Sequence, residues 1–244
     1  MGTKHHHSQK ITQGVIHVTI ADKIKRVREA IAQAAIESGR ESSDITLVAA
    51  AKSADADGVR QAIIAGVDAV GENRVQDMTE KYAQNAYTGT PLHFIGHLQS
   101  NKVGKVVGVC DLIESADSVK LLEMIGKKAM ELGIIQNVLI EVNIGREPSK
   151  SGIFPEELPR MLDTAAAING INVRGLMAIP PILGNPIENC YYFETMFNLF
   201  VDIRGKKYDN VCMQFLSMGM SGSYIEAIRA GANMVRIGSA IFER

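Results

Sequence analysis

The sequence predicts an α/β protein folded as a (β/α)8 TIM-type barrel, with an extra helix on its N-terminal side. Three observations lead there. Eight short apolar runs rich in β-branched residues recur along the chain, and stretches of helical periodicity separate them. The 244 residues also accommodate one such barrel, which takes roughly 250, with little left over. Near-continuous apolar strands alternating with helices mean a parallel sheet covered on both faces. Closure is favoured over an open doubly wound sheet by the number of units, and no GxGxxG follows the first strand.

Residues 18–39, VTIADKIKRVREAIAQAAIESG, carry apolar side chains at Ile20, Ile24, Val27, Ile31, Ala35 and Ile36. That is the spacing of one helix face, and Gly39 supplies the stop. ITLVAAA at 45–51 is the first strand, followed by AVGEN at 69–73, LHFIG at 92–96 and DLIES at 111–115. SVKLLEMIGKKAMELG at 118–133 is a helix, its KKAMELG charges reading as a solvated face. NVLIEVN at 137–143 is the fifth strand, the polar stretch 145–152 a loop, and EELPRMLDTAAAI at 156–168 a further helix. VRGLMAI at 173–179, MQFLSMG at 213–219 and MVRIGSA at 234–240 complete the strands, with 184–189 read as a loop. The Met residues of LSMGM read as core or mouth packing.

Charge and composition narrow the function. With 26 basic against 27 acidic residues, no global positive field points to nucleic acid or an anionic membrane. No apolar run approaches the ~20 residues of a membrane helix, and ITQGVIHVTIADKIKRV after the first ten residues has no secretory core, so the cytoplasm is expected. MGTKHHHSQK at 1–10 reads as an expression tag, and 11–244 as a single domain. Cys110, Cys190 and Cys212 offer neither a disulfide framework nor zinc spacing and read as buried thiols. With His5, His6 and His7 in the tag, only His17, His93 and His97 remain, and no structural metal site is expected.

Function in a parallel barrel collects where the strands end. The polar residues ending the runs are Lys52, Glu72 and Asn73, His97, Asn143, Ser217, and then Arg236, Gly238 and Ser239. Lys52 directly follows LVAAA. An amine between a dry wall and the mouth would be desolvated, its pKa lowered, and so able to condense with an aldehyde. The alternative is a lysine that snorkels to solvent. Gly238-Ser239 after the last strand suits a phosphate held by backbone N–H groups, with Ser217 and Ser239 adding hydroxyls; the alternative is an ordinary turn. Glu72 and His97 read as an acid–base pair or, preferably, as hydrogen-bonding residues that order the mouth.

These residues also carry a resemblance. LVAAAK at 47–52, GENRVQD at 71–77, HFIGHLQSNK at 93–102, VNIGREPSKSGI at 142–153, GLMAIP at 175–180, LSMGMS at 216–221 and VRIGSAIF at 235–242 resemble the YggS/PROSC family of pyridoxal phosphate homeostasis proteins. That family consists of single-domain fold-type III barrels similar to the N-terminal domain of alanine racemase. The resemblance implies pyridoxal 5′-phosphate (PLP) held as a Schiff base on Lys52, with phosphate contacts from Ser217 and the Gly238-Ser239 backbone. It further implies Arg236 near the pyridine nitrogen, leaving that nitrogen unprotonated, and Asn73 near the ring. Ala51, Ala54, Arg74, Ser223 and Glu243 depart from the usual Ser, a polar residue, Tyr, Asp and Gly, and none removes an implied anchor.

The resemblance implies a monomeric, non-enzymatic carrier that supplies PLP to PLP-dependent apoenzymes. Lys150 in SKSG is either a second amine in that handover or a lysine that orders its loop. A racemase is the enzymatic alternative, but it needs an acid–base group on each face of the substrate carbon, and this length leaves no room for a second domain to supply one. A Schiff-base aldolase using Lys52 without PLP is a third reading, distinguished by the lack of yellow colour.

Overall fold

The structure, a computed structural model, describes residues 18–181 and 186–243. The tag-like residues 1–10 and His17 lie outside it. Eight parallel strands close in sequence order into a barrel, β1 pairing with both β2 and β8. The strands are β1 (Thr46–Ala50), β2 (Ala69–Glu72), β3 (Leu92–Phe94), β4 (Leu112–Ala116), β5 (Gln136–Glu141), β6 (Ile171–Met177), β7 (Val211–Ser217) and β8 (Met234–Ile237). All eight expected strands are present, several shorter at the C-terminal end than their apolar run. The run 234–240 stops at Ile237 because Ser239 already opens a helical turn.

The expected N-terminal helix is α1 (Ile20–Glu37). A capping box starts it, with the Asp22 N–H donating to Thr19 Oγ1 at 3.1 Å and the Thr19 N–H to Asp22 Oδ2 at 3.0 Å. Gly39, at φ 68°, ends it as its position predicts. The remaining helices are α2 (Ala56–Ile64), α3 (Val75–Ala83), α4 (Val103–Val106), α5 (Val119–Glu131), α6 (Leu158–Ala166), α7 (Pro186–Arg204), α8 (Tyr224–Arg229) and α9 (Ser239–Phe242). Helix α7 corrects the loop expected at 184–189. Proline fits the first helical turn, where its missing N–H costs nothing, and the helix begins at Pro186; 184 and 185 lie outside the described residues. The thiols also differ from expectation: Cys110 is buried, Cys190 half-buried and Cys212 exposed.

Two apolar layers follow from the strand alternation. Leu47, Ala49, Val70, Ile113, Val138 and Val235 face outward under the helices, while Val48, Ala69, Leu112, Leu139, Met177 and Met234 fill the barrel interior. Each such buried Val, Leu, Ile or Met side chain contributes about 1.5–3 kcal/mol over exposure. Gly175 sits at φ 149° where the β6–β7 register shifts, and a Cβ there would lie 1.8 Å from the Phe215 carbonyl oxygen. One layer nearer the C-terminal ends the interior turns polar: His93, Glu114, Glu141, Ser217 and Arg236 are all buried. No helix among the described residues is long and apolar enough to cross a membrane.

Candidate functional site

A cavity of about 570 Å³ opens at the C-terminal ends of the strands. Lys52, Asn73, Arg236, Gly238 and Ser239 all line it, brought together from the ends of β1, β2 and β8. Lys52 is exposed, standing in a turn just after the buried Ala51 and the end of β1. Of the two readings of Lys52, the exposure fits the lysine that reaches solvent. Ser217 requires a correction. It is fully buried beneath the cavity and does not line it, its hydroxyl donating to Glu114 Oε2 at 2.6 Å and accepting from Arg236.

In that segment the serine that lines the cavity is Ser221, four residues on, which the sequence reading passed over although it closes LSMGMS. Its Oγ accepts the N–H of Gly238 at 3.3 Å and of Ala240 at 3.2 Å. Backbone donors of the β8 exit thus already converge on one oxygen, as an anion site requires. Gly238 is needed here for closeness: a Cβ would come within 3.0 Å of the Ala50 carbonyl oxygen on β1. Ser223 tightens the same loop, its hydroxyl accepting the Met220 N–H at 3.3 Å. The apolar wall comes from Ile95, Ile179, Pro180, Pro181 and Phe193.

Arg236 forms the floor. It donates to Ser217 Oγ and, at 2.8 Å, to the Ala178 carbonyl, and lies 3.6 Å from Glu114 Oε2. Burial pulls its guanidinium down while Glu114 and Glu141 oppose it, and an arginine keeps its charge. Burial likewise pushes the Glu114 carboxyl up, but His93 at 2.8 Å, Arg236 and Ser217 outweigh it and hold the group below the usual carboxylate range. Glu141 has no such partners. Burial first, then Asp117, push it up to about 7 against Arg236, and its Oε2 meets no donor among the described residues.

Glu72 and His97 are not an acid–base pair. Glu72 is fully buried, with Lys81 Nζ at 2.8 Å and the Tyr87 hydroxyl at 2.9 Å from Oε1. Burial raises its carboxyl, and Lys81 and Tyr87 oppose that. His97 is exposed, 3.1 Å from Asp117 Oδ2. The preferred reading of both as ordering residues fits this geometry. Asn143 organises the 145–152 loop, its amide donating to the carbonyls of Glu147 at 2.8 Å and Lys150 at 3.2 Å. Lys150 itself pairs with Glu147 inside that loop.

Over residues 21–243 the chain matches the family described as alanine racemase, N-terminal domain. It is 38% identical to the pyridoxal phosphate homeostasis protein of Aquifex aeolicus over 221 residues, 91% of this chain and 96% of the relative. Among solved structures it is similar to an unknown protein from Bifidobacterium adolescentis, with TM-score 0.85 and 37% identity over 91% of this chain and 94% of that one. It is also similar to PipY of Synechococcus elongatus with PLP bound, with TM-score 0.80 and 28% identity over 92% of this chain and all of the other, 100%.

Proposed function

Because this chain belongs to the pyridoxal phosphate homeostasis proteins of the alanine racemase N-terminal domain family, we propose that it binds PLP through Lys52 and supplies it to PLP-dependent apoenzymes in the cytoplasm. The observation that carries the reading is the meeting, in one cavity, of an exposed lysine, an oxygen-binding backbone cradle and a buried arginine. About 570 Å³ lies within the range of small-molecule sites, so an aromatic phosphate monoester fits. When bound, PLP supplies an aldehyde and an electron-accepting ring.

This chain's residues divide the work of holding it. Gly238 and Ser239, with Ser221, would orient the phosphate at the β8 exit. Asn73 and Ile95 would flank the ring. Arg236 brings a positive charge and only donors to the floor, which disfavours protonation of a ring nitrogen beside it. A ring without that proton stabilises carbanions less. Lys52, exposed at the rim, is reachable by an aldehyde and by the amines of recipient proteins. Lys150, bound to Glu147 within its own loop, supports the reading of a loop-ordering lysine over a second handover amine.

Borohydride reduction of the PLP-loaded protein followed by peptide mass spectrometry tests the proposal. The expected result is one reduced adduct, on Lys52, absent from Lys52→Ala. An adduct on another lysine, or a Lys52→Ala protein that still traps PLP, would overturn it.

A further inference from the structure

The cavity leaves one buried cation unused. Lys81, on α3, is 7% exposed, and its ammonium makes two contacts: Glu72 Oε1 at 2.8 Å and the Ala51 carbonyl oxygen at 2.7 Å. That carbonyl belongs to the peptide joining Ala51 to Lys52. Strand β1 ends at Ala50, so this peptide lies beyond the strand's regular ladder. Both backbone groups of Ala51 are nonetheless engaged. The Ala51 N–H donates to the Gly71 carbonyl at 2.9 Å, and the Ala51 carbonyl accepts from the Ala54 N–H at 3.1 Å as well as from Lys81.

An ion pair that merely pinned α3 to the barrel could rest on any nearby carbonyl. This one rests on the residue before the attachment lysine. Glu72 is held in turn by the Tyr87 hydroxyl, so the clamp runs from Tyr87 through Glu72 and Lys81 to the Ala51–Lys52 peptide. It also gives the GEN segment a division of labour: Gly71 takes the Ala51 N–H, Glu72 anchors Lys81, and Asn73 faces the cavity.

We propose that Lys81 is a positioning residue: charged and braced by Glu72 and Tyr87, it fixes the peptide from which Lys52 departs and so sets where the Lys52 amine is delivered. The proposal rests on Lys52 being the attachment point. It makes covalent attachment depend on Lys81 while non-covalent occupancy of the cavity does not, because neither Lys81 nor Glu72 lines it.

The test compares PLP with pyridoxine 5′-phosphate, which carries an alcohol in place of the aldehyde and cannot attach. Lys81→Met leaves a buried Glu72 opposite no cation and risks misfolding. The paired variant Glu72→Gln, Lys81→Met removes both charges and keeps an acceptor for Tyr87. In either variant that folds, attachment to Lys52 should slow by about ten- to a hundredfold, with pyridoxine 5′-phosphate affinity within about twofold of the parent. Parent-like attachment in the paired variant overturns the proposal. So does a parallel loss of both, which would mark a purely structural role. A parent protein that binds pyridoxine 5′-phosphate but never attaches PLP to Lys52 would defeat the attachment reading instead.

Discussion

Glu141→Gln should make the protein more stable at alkaline pH and leave it nearly unchanged in acid. Glu141 sits in the polar interior layer, 7% exposed, where Glu114 has taken Arg236, Ser217 and His93 as partners. Its carboxyl is raised from the ordinary 4.5 to about 7 by burial and by Asp117. A raised acid prefers its neutral form in the folded state. Below the unfolded value both states hold the proton and the effect vanishes; as pH climbs toward 7 the unfolded chain releases the proton first and stability falls. Between pH 5 and pH 8 that loss is on the order of 2–3 kcal/mol, equivalent to roughly 4–12 °C in Tm for a chain of this size. Glutamine cannot ionise, so the variant lacks this slope. Urea unfolding of ligand-free parent and variant at both pH values isolates it, since contributions from Glu72 and the surface carboxylates are common to both proteins. An advantage of the variant that is the same at pH 5 and pH 8 would refute the reasoning.

Two further outcomes are expected. Ser221→Ala removes the hydroxyl on which the Gly238 and Ala240 N–H groups converge, and should weaken pyridoxine 5′-phosphate binding by about tenfold while leaving the affinity for unphosphorylated pyridoxine unaltered, as fluorescence titration would show. Gly175→Ala forces a Cβ to within 1.8 Å of a β7 carbonyl at φ 149°, and should lower stability by about 3 kcal/mol or more in thermal unfolding.

The strands and helices were legible because their signals are local. Ile20, Ile24, Val27 and Ile31 repeat at helical spacing along α1, and ITLVAAA stands out over β1 as one short apolar run. The start of α7 was less legible, since a proline reads equally as a turn or as a first helical residue. Lys52, Asn73, Arg236, Gly238 and Ser239 could be picked as strand-end residues, and the barrel brings all five to one cavity. Ser217 could not be told from Ser221 in the same way. Both lie in LSMGMS, and the difference is whether the chain is still in the strand, facing the interior, or already in the loop above it.

Sequence alone therefore determined the closed alternation of strands and helices and which residues stand at the strand ends, because both depend on neighbours a few positions apart. Tertiary structure decided how buried charges are shared out: that Glu114 and not Glu141 receives Arg236, and that Lys81 reaches the peptide before Lys52. The free energy of a buried charge depends on every partner within a few ångströms. Those partners lie far apart in the chain, 30 residues for Lys81 and Ala51 and 103 for Glu114 and Ser217, and only closure of the barrel places them side by side.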